Sequence, residues 1–497
     1  MRASPLVTPL IGFLLLSAGC GSASTSGSGP DNPQDAAVAN PLDAAVATPL
    51  DAAIATPLDT ATPDAQTSPP EPPAEAGASP EPIARSPLAR VSAGLNDDEK
   101  RELATSLSDF AFALLQEARN DPATKDNFAF SPTSISLALG MVYAGARGNT
   151  AAQMKDVLHV ASSSDVYLRS LNWLDQQLES RAAAALQLTQ DVYRSSGSTA
   201  PAPDPANYRL HVVNAFWGER TTTFEQPYLD ALATEFGAGI HLADFITQPE
   251  TERLAINAWV SGETLDRIND LIPLGFIDAA TRAVLVNAIH LKLPWYDPFR
   301  EVSTAPAIFT KTDGSTVSVP FMNQSAGRSY AEDDTTQVVA IPLSGQNIDF
   351  VVFLPQPTSS LAQLEASLSS GRAQALVVSM SSQPVALALP RFAFTTESVN
   401  LRTMLIALGM TDAFGASADF SGITQQTRLS ISDVLHKAMV GVDEHGVEAA
   451  AATAVTLRYG TSVDKQVNAN RPFFFGIYDR PTTTWLFLGH VTDPTMP

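Results

Sequence analysis

Residues 443–455, DEHGVEAAAATAV, pull three ways at once. The alanine run favours helix by intrinsic propensity, yet no apolar stripe repeats at helical spacing. Read with period two, Val447, Ala449, Ala451, Thr453 and Val455 share one face, all small and uncharged. Glu448, Ala450, Ala452 and Ala454 share the other face, which carries the only charge. Helix, poor strand and loop are all left open. The adjacent ionisable residues Asp443, Glu444 and His445 do not make a metal cluster, because neighbours on an extended chain point to opposite faces.

The chain around this stretch has 497 residues, 44% of them hydrophobic, enough for one large or two to three ordinary domains. A formal charge of −22 argues against nucleic acid or an anionic membrane surface as partner. With one cysteine, Cys20, neither an intramolecular disulfide nor a cysteine metal site can form. The histidines lack HExxH and His-x-His spacing, and neither a GxSxG motif nor a Gly-rich phosphate loop occurs. Neither a cofactor nor an enzymatic turnover is expected.

Residues 1–20, MRASPLVTPLIGFLLLSAGC, open on Arg2 and carry an apolar core, Ile11–Leu16, too short to span a bilayer. The ending Ser17-Ala18-Gly19-Cys20 resembles the lipobox of bacterial lipoproteins, with Ser17 where leucine is usual. That resemblance implies a lipidated Cys20 anchored at the outer membrane or cell surface of a bacterial envelope; an ordinary secretory signal is the alternative. Residues 21–95 read as a linker. Pro33, Pro41, Pro49 and Pro57 mark an eight-residue Pro/Ala/Asp repeat with too little apolar surface to offset ordering entropy. Such a segment spans roughly 50 Å as a coil and up to ~200 Å if fully extended.

The folded domain is expected over 96–497. Leu103, Leu107, Phe110, Leu114 and Leu115 fall at helical spacing behind an acidic first turn. Ser131-Pro132 reads as an N-cap and first helical residue. RAVLVNAIHLKL, IDFVVFLP, VALALPRFAF, LSISDVLHKAMVGV, FFFGIYD and WLFLGHV read as strands, with helical patterns such as QPYLDALATEFG and NLRTMLIALGM between them. The mixture without regular βαβ alternation predicts an α+β fold with large mixed or antiparallel sheets. Residues 195–207 look like a surface insertion.

Taken in order, NFAFSPTSIS, GARGNTAAQM, LHVVNAFWGE, AVLVNAIHLKLPW, ALPRFAF, ALGMTDAFGASADFSGI, ISDVLHKAMVGVDEHGVEAAAATAV and VNANRPFFFGIYD resemble the blocks of the serpin family of protease inhibitors. The resemblance runs over about 97–497. It implies large mixed sheets, eight or nine surrounding helices and an exposed reactive-centre loop. A protease cuts the loop, and the part before the cut enters the main sheet as a new strand. This resolves the ambiguity of 443–455. A strand entering a packed sheet needs small side chains, because packed cores lack spare volume, and an uncharged inward face. Gly446 is expected to supply freedom at the pivot.

The resemblance also implies roles for particular residues. The hinge comprises Glu444, Gly446, Val447, Glu448, Ala449, Ala450, Ala451 and Ala452. Ser131, Ser134, Asn287 and His436 match the polar cluster that governs sheet opening. Trp295, Arg391 and Glu444 match the group where the loop first enters, although Leu293 and Pro294 depart from the family pattern there. Cleavage is expected within LRYGTS, after Arg458, Tyr459, Gly460 or Thr461. The implied partner is a target serine protease, or a cysteine protease, held covalently as an acyl-enzyme by a monomeric inhibitor. The competing expectation is a serpin-fold binding protein without inhibitory activity, a carrier or chaperone. The hinge separates the two, since Glu448 is the only charged residue from Val447 to Val455 and proline is absent.

Overall fold

A computed structural model describes residues 82–197, 201–448 and 465–496. The described residues include two large mixed sheets and nine α-helices, the α+β arrangement the sequence predicts. The helix Asp97–Ala118 starts on a capping box: the Asn96 side chain accepts from the Asp98 and Glu99 amides, and Glu99 accepts from the Asn96 amide. Such caps contribute about 1 kcal/mol. The predicted stripe, Leu103 to Leu115, is buried.

The helix Pro132–Tyr143, capped by Ser131, is buried along its whole length between the two sheets. Its hydroxyls serve both: Thr133 donates to the Trp485 carbonyl at 2.7 Å in one sheet, and Ser134 to Ala288 at 3.4 Å in the other. Those bonds are what make a buried polar helix tolerable.

The first sheet runs Ile83–Ala84, Ile240–Ala243, Arg209–Glu219, Ala283–Pro294, Gly446–Val447, Met439–Val442 and Phe392–Thr395. Along Ala283–Pro294 the faces alternate. Leu285, Ile289, Leu291 and Leu293 point into the main core. Val286 and Ala288 pack under the helix Pro249–Glu263, against Ile256 and Val260. The second sheet is built on the long strand Thr316–Glu332, which pairs with Ser381–Pro390 on one side. Its Asn323 and Gly327 hide it from a propensity reading.

Two expectations shift. Residues 82–95, read as the end of the linker, are docked. Ile83 and Ala84 pair with His241 and Ile240 at the sheet edge. Arg90 reaches Asn172 at 2.8 Å and Asp175 at 2.7 Å on the helix Ser164–Ser196. The signal was charge: Arg85 and Arg90 are the only basic residues between Arg2 and Lys100. The supposed insertion at 195–207 begins as the last turn of that helix and ends with Asn207 buried.

Candidate functional site

The site lies along one seam of the first sheet, on the edge of Ala283–Pro294 that faces Val434–Val442. At the lower end the two sides touch directly: Val434, Leu435 and His436 pair in parallel with Leu285, Val286 and Asn287. At the upper end a dipeptide separates them. Gly446 and Val447 pair antiparallel with Pro294 and Leu293, and Val447 pairs on its other side with Val442. Val447 is 2% exposed and points into the main core, as its place on the small-residue face requires.

The lower end brings Ser131, Ser134, Asn287 and His436 into one buried network. His436 Nε2 accepts from the Ser131 amide at 3.0 Å, so that nitrogen carries no proton. Nδ1 therefore holds the hydrogen and donates to Asn287 Oδ1 at 2.7 Å. Asn287 Nδ2 donates to Ser134 Oγ and to Asn214 Oδ1, both at 2.6 Å. Burial pulls the His436 pKa from 6.5 down to about 3, so the imidazole is neutral. The His436–Asn287 bond crosses the seam.

At the upper end Glu444 is buried. Its carboxylate accepts from Thr304 Oγ1 and from Arg391 Nη2, each at 2.5 Å, and its carbonyl accepts from the Phe299 amide. Burial alone would raise the Glu444 pKa, but the bonds from Thr304, the backbone and Arg391 outweigh it and leave the pKa lowered. Trp295 donates from Nε1 to the Asp443 carbonyl at 2.7 Å and from its amide to His445 at 2.8 Å. Pro294 closes its strand opposite Gly446, and its carbonyl accepts from Ser344, so the missing amide leaves the end of the strand intact. Asp443 caps the turn to Gly446 and lies 3.6 Å from the His445 ring, which is also 3.5 Å from Glu301, while Glu444 points away and is buried on Arg391.

Gly446 sits in strand, and the positive backbone angle falls at Glu448, whose φ is 52°. Beyond the sequence expectation, Thr304 joins the Glu444 group, Asn214 joins the Asn287 network, and Arg267 and His290 meet Glu448. His290 was legible as an even-numbered residue of a strand whose even face is covered by a helix; Thr304 and Arg267 lie in irregular segments with no such pattern. Ala449, Ala450, Ala451, Ala452, the cleavage candidates Arg458 to Thr461, and Cys20 lie outside the described residues.

Comparison with known proteins agrees with this architecture. The family model described as "Serpin (serine protease inhibitor)" matches residues 105–494. Human serpin B3 is 35% identical over 79% of this chain and 99% of its own length. The leukocyte elastase inhibitor of Sus scrofa is 32% identical over 79% of this chain and 100% of its own. Among solved structures, human thyroxine-binding globulin complexed with its ligand superposes with a TM-score of 0.68 at 25% identity, covering 80% of this chain and 100% of that one. The chain belongs to the serpin family.

Proposed function

We propose that the protein is a single-use inhibitor of serine or cysteine endopeptidases. One observation carries this: the hinge dipeptide is already spliced into the upper seam, with Val447 buried and the small-residue run next in line. A protease nucleophile attacks the scissile carbonyl in the loop; the C–N bond breaks, the nucleophile's proton passes to the departing amine end, and an acyl-enzyme ester (a thioester with a cysteine protease) remains. The freed strand then extends from Val447 down the seam and parts Val434–His436 from Leu285–Asn287. Roughly a dozen residues would gain ladder bonds on both sides, on the order of 10 kcal/mol at ~0.5–1.5 kcal/mol net per bond. That is comparable to the stability of a typical protease, about 5–15 kcal/mol. Dragging the tethered enzyme along can therefore distort its active site before water resolves the ester. In this scheme Arg391, Glu444 and Trp295 hold the mouth, and Ser131, Ser134, Asn287 and His436 hold the lower seam.

The test is incubation with a panel of trypsin-, chymotrypsin- and subtilisin-like proteases, read by denaturing gels and mass spectrometry. A covalent complex with a cut within residues 457–462 is expected. Quantitative cleavage without complex would instead favour the carrier reading, which the thyroxine complex of a fold relative motivates.

We further propose that the domain acts from a bacterial envelope. Cys20 and the proline-spaced linker support a lipid anchor with a spacer. One acyl chain binds membranes only marginally, so stable anchoring needs the several that bacterial lipoprotein processing attaches. Cys20→Ala is expected to move the protein out of the detergent-extracted membrane fraction and leave inhibition by the purified domain unchanged. Wild type found wholly in the medium would leave only secretion.

A further inference from the structure

Past Val447 the chain leaves the sheet at Glu448, whose amide still donates to the Gly441 carbonyl at 2.8 Å. The Glu448 carboxylate lies on the helix-covered face of the sheet, opposite to Val447. It sits 2.9 Å from His290 Nε2 and 2.5 Å from Arg267 Nε, and its side chain is 8% exposed. Arg267 follows the helix Pro249–Glu263, and His290 is an even-face residue of Ala283–Pro294. Neither contact is aligned as a hydrogen bond, and both ring nitrogens of His290 lack an aligned partner. His211, cross-strand to His290, is occupied with Glu263 at 2.9 Å. The pairing 446–294 and 447–293 places residue 448 opposite Lys292 when the register advances by one. Lys292 is also an even-numbered residue, so its side chain falls on the same face as His290.

We propose that Glu448 is a positioning residue that parks the hinge two residues deep. Its carboxylate is held by His290 and Arg267 in the parked state and passes to Lys292 when the strand advances. This rests on the insertion reading above. A buried carboxylate needs a partner in each conformation: His290, two residues farther along the strand than Lys292, and Arg267 hold it while the chain turns out at Glu448, and Lys292 lies opposite it once the chain extends down the seam. Misaligned contacts suit the first stop, because they hold the charge without the cost of breaking well-formed hydrogen bonds.

The two stops give the step opposite sensitivities. Arg267→Ala weakens only the parked state and should speed insertion, by up to about fivefold for a partly exposed ion pair. Arg267→Lys should restore most of the wild-type rate. Lys292→Ala weakens only the advanced state and should slow insertion by a similar factor. The full-length protein is mixed with subtilisin at concentrations where more enzyme no longer changes the rate, and tryptophan fluorescence follows insertion. Urea gels report whether each variant is folded beforehand. Glu448→Gln, which keeps the shape and removes the charge, should abolish the difference between the Arg267 variants. If cleaved wild type shows no transition and no gain in stability, the insertion reading fails and this proposal with it. If wild type inserts but Arg267→Ala and Lys292→Ala leave the rate unchanged or move it in the same direction, the role of Glu448 alone is overturned.

Discussion

The two ends of the seam are closed by different chemistry. At the upper end a spliced dipeptide keeps Leu293 and Val442 apart, and charged groups surround it: Glu444 with Arg391, Glu448 with Arg267. At the lower end the strands touch, and the groups across them are neutral: His436, Asn287 and two serines. The contrast separates two tasks. Charged contacts can be exchanged between partners as a strand advances, whereas a buried neutral network is all-or-none, because breaking one bond orphans its neighbours. In the insertion proposed above, the upper end would meter the movement and the lower end would resist it until displaced.

The largest effect belongs to the start of the inserting strand. Val447→Arg puts a charge on the core-facing side, where an unpaired ion is not tolerated. The protein should fold with its hinge expelled and be cut as an ordinary substrate. Denaturing gels of a protease titration should show cleaved product and essentially no covalent complex. Efficient complex formation by this variant would mean that the upper end does not seed insertion.

Next comes the lower end. Asn287→Ala removes the acceptor for His436 Nδ1 and the donor to Ser134 and Asn214. Orphaned buried groups of this kind cost about 1–3 kcal/mol each. The intact protein should melt several degrees lower, and insertion after cleavage should accelerate. A slower insertion would show that the network guides the strand and does not hold the seam.

Much of this contrast is legible in the chain. Period-two alternation places Val447 inward, and the serines, Asn287 and His436 stand in blocks whose family resemblance assigns them to one cluster. Local signals suffice where a residue's partner is dictated by strand parity or by a cap, as at Ser131. They fail where conformation is set from outside. Nothing local says that Glu448 turns left-handed, since the reason is a pair of partners 158 and 181 positions earlier in the chain, at His290 and Arg267. The docked arm at 82–95 is held by the edge pairing of Ile83 and Ala84 and by polar contacts of Arg90 and the Val91 backbone, with Leu88 and Val91 left exposed, so a search for buried apolar surface passes over it.

Acid should separate the ends. The His436 pKa is lowered in the fold, so the unfolded chain binds the proton first. Its contribution is complete above pH 6.5 and is lost as pH falls from there toward about 3, at up to ~1.4 kcal/mol per pH unit. The Glu444 pKa is also lowered, from 4.5, so its contribution persists above that value and fades only below it. Urea denaturation between pH 7 and 5 should therefore show weakening that His436→Gln removes and Glu444→Gln does not. The smallest effect is expected from Arg391→Ala. Arg391 is half exposed and Glu444 keeps Thr304, so a loss of about 1 kcal/mol is expected, with a slightly looser hinge read by hydrogen exchange at 444–448.

The account turns on whether the strand that begins at Val447 can continue down the seam. Thermal denaturation of the intact protein beside the same protein cleaved within residues 457–462 measures this directly. Cleaved wild type should melt about 10 °C or more above intact, because a completed sheet adds many ladder bonds, and cleaved Val447→Arg should not gain. Cleaved and intact wild type melting together would contradict insertion and leave a serpin fold used for binding.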